Sequence, residues 1–295
     1  MANGHRKETI YMAKPIILCA DSTCDLGEQL IKKYNVHILP MHVNLEDKTY
    51  ADGVDLKPDD IYAVYKEKNI LPTTSATNMD EYKEFVQPFI DAGNDVLYIN
   101  LGSGISTTHN SCRLAAEETE GLYVIDSGNL STGMGLVVIA AAERIAAGMP
   151  IQQILDEVRA LTKRVEASFV LDTLEFLHKG GRCSTLAMLG ANMLKLKPCI
   201  EVNNENSTMT VGKKYRGSLE KCLEEYVSDR LQGREDIDTT RIFITHSGIS
   251  DERLQLVRDA VCKYMSFDEV LVTRAGCTIT AHCGPNTLGI LFVRK

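Results

Sequence analysis

Residues 15–40 read PIILCADSTCDLGEQLIKKYNVHILP. An apolar run of strand length, PIILCADS, gives way to the helical pattern LGEQLIKKYN and then to a second strand-like run. Strand, helix and strand in that order form the unit of a parallel sheet, because two parallel neighbours need a long crossover and a helix supplies it. The alternation continues downstream. PDDIYAVYKEK and MDEYKEFVQPFIDAG carry helical periodicity, with Pro88 expected to bend or shorten the second. DVLYINL and LYVID read as strands, STTHNSCRLAAEET and LSTGMGLVVIAAAERIAAG as helices, the latter ended by Gly148. VHILPMHVNL is expected to form one strand.

After the helical pattern IQQILDEVRALTKRV and the strand-like ASFVLDT the composition changes, and strands carry more polar residues. PCIEVNN and TMTVGKKY are joined by ENS, a turn-rich connector suited to an antiparallel hairpin. SLEKCLEEYVSDRL reads as a helix, and RIFITHS, a helix, DEVLVTRA, a loop and LGILFVRK complete a mixed pattern. The fold class is therefore α/β. It comprises an N-terminal parallel-sheet α/β domain over 14–165 and a C-terminal mixed α+β domain over 166–295, tightly packed because no long linker separates them. The first eleven residues, MANGHRKETIY, lack periodicity and are expected to be a mobile leader outside the fold.

A chain of 295 residues buries a core without disulfides or structural metals. Its net charge of −8 argues against a nucleic-acid backbone as the main partner. Nine cysteines with no CxxC pair and no preceding signal peptide point to a reducing cytoplasm rather than to a disulfide framework or a zinc site. The longest apolar run, MGLVVIAAA at 134–142, is about half of what a membrane span needs and reads as a buried helix.

Three segments share one design, an extended stretch followed by hydroxyl side chains and a helix: TTSATN (73–78), SGISTTHNS (103–111) and DSGNLST (126–132). Serine and threonine at a helix start serve either as caps or as neutral donors for a small anion, since strand ends and helix N-termini in a parallel sheet collect anionic ligands. Ser103, Ser106, Thr107 and Thr108 crowd into six residues where a single cap suffices. The patterns of a serine hydrolase, a dinucleotide site and a P-loop are all missing around Gly102 and Gly104. Asp21 and Asp126 stand at strand ends, where they act as an acid and base pair, as magnesium ligands or as caps for the following helix.

In HKGGRCS (178–184), Gly180 and Gly181 either permit close backbone approach beside an anion-clamping Arg182 or simply end a helix. KKYRG (213–217) puts Arg216 near a helix start, where the dipole disfavours a cation, so Arg216 answers a ligand or a partner. His282 is expected on a loop between the last two strands, held by the rigid turn of Gly284 and Pro285.

Taken in order, DSTCDL, YADGVDL, PTTSATN, SGISTTHNS, VIDSGNLSTGMG, LEFLHKGGRCS, KLKPCIEV, KKYRG and AHCGPNTLGI resemble the DegV family, the fatty-acid-binding partners of bacterial fatty acid kinase. The resemblance runs from about Ile16 to the C-terminus. It implies a non-enzymatic, cytoplasmic protein of phospholipid metabolism with no cofactor. One long-chain fatty acid would lie between the two domains and be presented to a separate ATP-binding kinase subunit that forms an acyl phosphate. It implies Thr74 and Ser106 as carboxylate donors, with Ser75, Ser103, Arg182 and His282 beside them, and Arg216 as the kinase contact. The sequence departs from the family pattern at TSATN, which replaces TSQPS, at Thr107 and at Asn286, each changing side-chain volume near the head group. Helix 131–146 and LAMLGANMLKL (186–196) offer apolar lining for a tail. The competing class is a hydrolase or phosphotransferase acting on a small anionic substrate.

Overall fold

The computed structural model describes residues 14–182 and 196–295. The expected leader at 1–11, and LAMLGANMLKL apart from its last residue, lie outside them. The first half runs β1 (Ile16–Asp21), a 3-10 turn (Ser22–Cys24), α1 (Gly27–Lys33), β2 (Val36–Leu39), β3 (His42–Leu45), β4 (Lys48–Ala51), α2 (Pro58–Lys68), β5 (Thr73–Ser75), α3 (Met79–Asp91), β6 (Asp95–Asn100), α4 (Thr108–Glu118), β7 (Leu122–Asp126), α5 (Ser131–Ala146) and α6 (Ile151–Thr162). The second half runs β8 (Val165–Val170), α7 (Glu175–Gly180), β9 (Leu196–Asn203), β10 (Thr208–Arg216), α8 (Leu219–Leu231), β11 (Ile237–His246), α9 (Asp251–Tyr264), β12 (Glu269–Arg274), α10 (Cys277–Cys283) and β13 (Leu288–Arg294).

Strands β2-β1-β6-β7 form a fully parallel sheet, as the opening strand-helix-strand unit requires. A second sheet of order β10-β9-β8-β13-β11-β12 is mixed, with β11 and β12 its parallel pair and antiparallel pairing elsewhere. Helix α5 packs against β1 and β6 of the first sheet and against β8, β11 and β13 of the second. Sandwiched between two sheets, it is buried on every side from Ser131 to Ala142, which is why MGLVVIAAA shows no polar face. One apolar cluster accordingly joins Leu18, Leu97 and Ile139 to Ala167, Phe243 and Leu291. No helix among the described residues is long and apolar enough to cross a membrane.

The structure differs from the sequence reading in three places. VHILPMHVNL is two strands in two sheets: β2 joins the parallel sheet, while β3 forms a small antiparallel sheet of order β4-β3-β5. Pro40 lies at the break and has no N–H to continue a ladder. Of the bend or shortening expected from Pro88, the shortening does not occur, because Pro88 falls in the final turn before Asp91. Finally, His282 is not on a loop but on the last turn of α10. That helix is short and carries β-branched Thr278, Ile279 and Thr280 in sequence, so neither length nor propensity marks it.

Candidate functional site

The carboxyl ends of β6 and β7 meet the tip of the β9–β10 hairpin. A Cβ on Gly104 would lie 2.1 Å from the Asn206 carbonyl, and one on Gly102 would lie 2.8 Å from the Ser207 Cβ. The glycines of GSG thus admit the hairpin rather than a nucleotide phosphate. Asp21 and Asp126 hold the same segment. Asp21, fully buried, accepts hydrogen bonds from the Leu101 N–H (2.8 Å) and from the hydroxyls of Tyr82 (2.9 Å) and Tyr98 (3.1 Å). Asp126 accepts from the N–H groups of Ser103 (3.2 Å) and Gly128 (2.9 Å). Burial raises the Asp21 carboxyl to about 6, against the lowering effect of those donors. Each aspartate works as a backbone anchor, and neither lines the cavity described next.

Between the two halves lies a cavity of about 380 Å³, within the range of small-ligand sites. On its wall Thr74, Ser75, Ser103, Ser106, Arg182 and His282 are exposed or partly buried, whereas Leu101, Leu130, Phe169, Met209 and Cys283 are buried, Ile279 is partly buried and Thr278 adds a buried hydroxyl. All six residues proposed for head-group binding therefore converge. Arg216 does not: it ends β10, is exposed, and has no ion-pair partner among the described residues.

The capping alternative separates the three hydroxyl segments. In the first, Asn78 caps α3 by accepting from the Glu81 N–H (3.0 Å) while Glu81 accepts from the Asn78 N–H (2.8 Å), which leaves Thr74 and Ser75 out of the cap, although Ser75 Oγ accepts from Asn44 Nδ2 (3.4 Å). Thr74 sits on β5, on the edge of the small sheet. In the second, Ser106 Oγ accepts from the Thr108 N–H (3.2 Å) and lies 2.8 Å from Thr108 Oγ1. The third turns away: Ser131 donates to Asp25 (2.6 Å) and Thr132 pairs with Thr245 (2.6 Å), so its hydroxyls serve packing.

His282 Nε2 lies 2.8 Å from Thr74 Oγ1, and the buried Nδ1 has no partner among the described residues. Desolvation, followed by the charge of Arg182, lowers the His282 pKa to about 4, so the ring is neutral at pH 7. A buried unpaired N–H is the rarer orphan, so the favoured tautomer carries its proton on Nε2 and donates it to Thr74. Thr74 Oγ1 thereby accepts from the ring, which leaves its O–H proton free to face an anion in the cavity; Ser106 Oγ accepts from the Thr108 N–H and shares a hydroxyl pair with Thr108 in which either group can donate.

The ring is fixed from behind by α7, which ends as the Gly180-Gly181 reading anticipated, with Gly181 left-handed at φ 68°. A Cβ on Gly180 would lie 2.1 Å from His282 Nδ1. On an open helix Gly→Ala adds about 1 kcal/mol of stability. Here Gly180→Ala is expected to destabilise by about 1–3 kcal/mol as overpacking does, and to push the imidazole out toward water. An NMR titration checks this: the His282 midpoint should climb toward the ordinary histidine range, and an unchanged midpoint would refute the contact.

Sequence reasoning missed the groups that hold α10. Asp25 Oδ1 accepts from the Gly276 N–H (2.8 Å). Asp52 accepts from Cys277 N–H (2.6 Å), Thr278 N–H (3.1 Å) and the Ser22 hydroxyl (3.0 Å). Both stand in quoted motifs, DSTCDL and YADGVDL, yet nothing in one dimension says they meet a helix more than two hundred residues away. Burial raises the Asp25 carboxyl to about 8, against the lowering by Ser131 and Gly276, with Asp52 adding to the rise. The folded protein holds a proton there that an unfolded chain, with its carboxyl near 3.8, releases. The stability from this group is complete below about pH 4, is lost as pH climbs to about 8, and is constant above. Asp25→Asn mimics the protonated acid, so its stability relative to the parent should improve steadily from pH 5 to pH 8 in denaturant titrations. A constant difference would contradict the buried proton.

Three comparisons bear on this architecture. A DegV domain-containing protein of Clostridium acetobutylicum is 28% identical over 284 residues, covering 95% of this chain and 99% of that protein. The solved DegV family protein of Thermus thermophilus, described as fatty acid binding, superposes with a TM-score of 0.85 at 29% identity, covering 95% of this chain and all of that one. DegV of Bacillus subtilis, described as a fatty acid binding protein, gives 0.79 at 27% identity over 96% of this chain and all of that one. The model of the DegV family, whose members are described as uncharacterised, matches residues 15–295, and the chain therefore belongs to the DegV family.

Proposed function

We propose that this protein binds one long-chain fatty acid in the cleft between lobes 14–165 and 166–295 and, in the cytoplasm, presents its carboxylate to a separate fatty acid kinase. The observation that carries the reading is the cavity wall, which sets exposed and partly buried hydroxyls against mostly buried apolar side chains. Thr74 and Ser106 donate to the carboxylate, Ser75 and Ser103 flank it, His282 orients the Thr74 hydroxyl, and Arg182 supplies positive charge at the mouth. The descriptions of the Thermus and Bacillus proteins as fatty acid binding support the ligand class. The hydrolase or phosphotransferase reading, which would use His282 and Arg182, finds no carboxylate on the buried His282 Nδ1 among the described residues to orient the ring as a base.

The energetics favour a carrier. About fourteen buried methylenes contribute on the order of 11 kcal/mol of gross driving force, whereas a hydroxyl bonded to a carboxylate contributes roughly 1.5–3 kcal/mol. The tail provides affinity and the head group provides orientation. Native mass spectrometry of protein purified from bacterial cells should reveal one bound fatty acid. A clean unliganded mass with no gain on adding palmitate or oleate would overturn the proposal.

Arg216 is the proposed kinase contact, being exposed, cationic and outside the cavity. Arg216→Ala is expected to lower kinase turnover about tenfold, the size of a lost interfacial charge pair, while bound lipid per protein stays constant. Turnover equal to that of the parent would remove Arg216 from the interface.

A further inference from the structure

The main cavity shares a wall with a second, much smaller void of about 30 Å³. Leu130, Phe169, Ile279 and Cys283 border both spaces. Beyond them the void is closed by Ala167 and Leu291 and by polar residues, most of whose hydroxyls have partners. Thr245 Oγ1 lies 2.6 Å from Thr132 Oγ1 and 3.1 Å from Thr273 Oγ1; Thr287 donates to the Cys283 carbonyl (2.8 Å); Ser247 donates to the Gly284 carbonyl. His246 Nδ1 accepts from the Gly248 N–H (3.2 Å). The Cys283 thiol, raised by burial to about 12, is uncharged. A space this small, bordered mostly by apolar side chains and by hydroxyls that already have partners, suits the methyl end of a hydrocarbon better than a second polar group.

We infer that the four shared side chains act as a length stop: the main cavity takes the body of an acyl chain, and the partition and the void behind it set the longest chain accepted. This inference rests on the fatty-acid reading above and specifies its substrate range. Ile279 is the side chain to alter, because it is only partly buried and belongs to a two-turn helix rather than to the sheet. Ala167, on β8, borders the void alone, so enlarging it fills the space beyond the stop without touching the main cavity.

The test is competition: an equimolar mixture of myristate, palmitate, stearate and arachidate is offered to delipidated protein and the bound species are counted by native mass spectrometry. Ile279→Ala should move the ratio of longer to shorter chains upward by about tenfold per two-carbon step, the value of two more buried methylenes. Ala167→Val, added to Ile279→Ala, should cancel that gain by filling the space so opened. If the parent loads fatty acid but folded Ile279→Ala keeps its ranking, or the double variant keeps the gain, the length stop is wrong and the carrier stands. If the parent loads none, the carrier reading falls and this inference with it. Should the double variant fail to fold, Ile279→Ala decides alone.

Discussion

Asp52→Ala is expected to lower the melting temperature by roughly 6–12 °C and to empty the protein of lipid, although Asp52 does not itself line the cavity. Asp52 is 4% exposed, and its carboxylate accepts from two backbone N–H groups at the start of α10 and from the Ser22 hydroxyl. Removing it strands those donors in a buried setting, a loss of about 3 kcal/mol for charge-assisted bonds left unmade, equivalent to that shift in a chain of this size. Asp25 remains on Gly276, so α10 is loosened rather than released. The consequence for binding follows from position: Thr278 and His282 lie one helical turn apart on α10 and both line the cavity. Asp52→Asn, which retains one acceptor oxygen, should recover part of the loss. A melting temperature for Asp52→Ala within about 2 °C of the parent would refute the anchoring role. A large fall in melting temperature with lipid fully retained would refute its link to the site.

Combining Thr74→Ala with Ser106→Ala separates holding a lipid from presenting it. These hydroxyls belong to partly buried residues on the cavity wall, where water replaces a lost donor, so each nets about 1 kcal/mol and the pair weakens lipid binding by about 30-fold. Transfer is more demanding, because displacing a reacting group by about 1 Å costs about 100-fold in rate. With protein fully loaded, acyl phosphate formation should therefore fall by at least about 100-fold. Lipid affinity is read by exchange with a labelled fatty acid, and phosphate transfer by product formation with the kinase. Equal losses in the two assays would show that the tail and the head group do not divide the work as proposed.

Particular residues mark how far the sequence could be read. The parallel sheet was legible because its strands are continuous apolar runs separated by helical periods, a pattern that burial on both faces imposes. Thr74, Ser106, Arg182 and His282 were legible as chemistry through the resemblance, and the structure brings them to one cavity. The break at Pro40 was visible as a residue but not as a change of sheet, since strand pairing is a choice of neighbour and leaves no local mark. Thr132 matched the anion-site pattern as well as Ser106 did, yet it faces Thr245 in the interior. A hydroxyl near a helix start carries the same local signature whichever way it points.

The sequence by itself determined the long helices, the parallel sheet and the mixed character of the second sheet, because those follow from periodicity and composition within a few residues. The tertiary structure alone decided that CTITAHC is a helix, that Asp25 and Asp52 hold it from the far end of the chain, and that Gly180 backs the imidazole. Each of these depends on groups distant in sequence meeting in a dry interior. There an unpaired N–H or a misplaced methyl costs more than local propensity can offset.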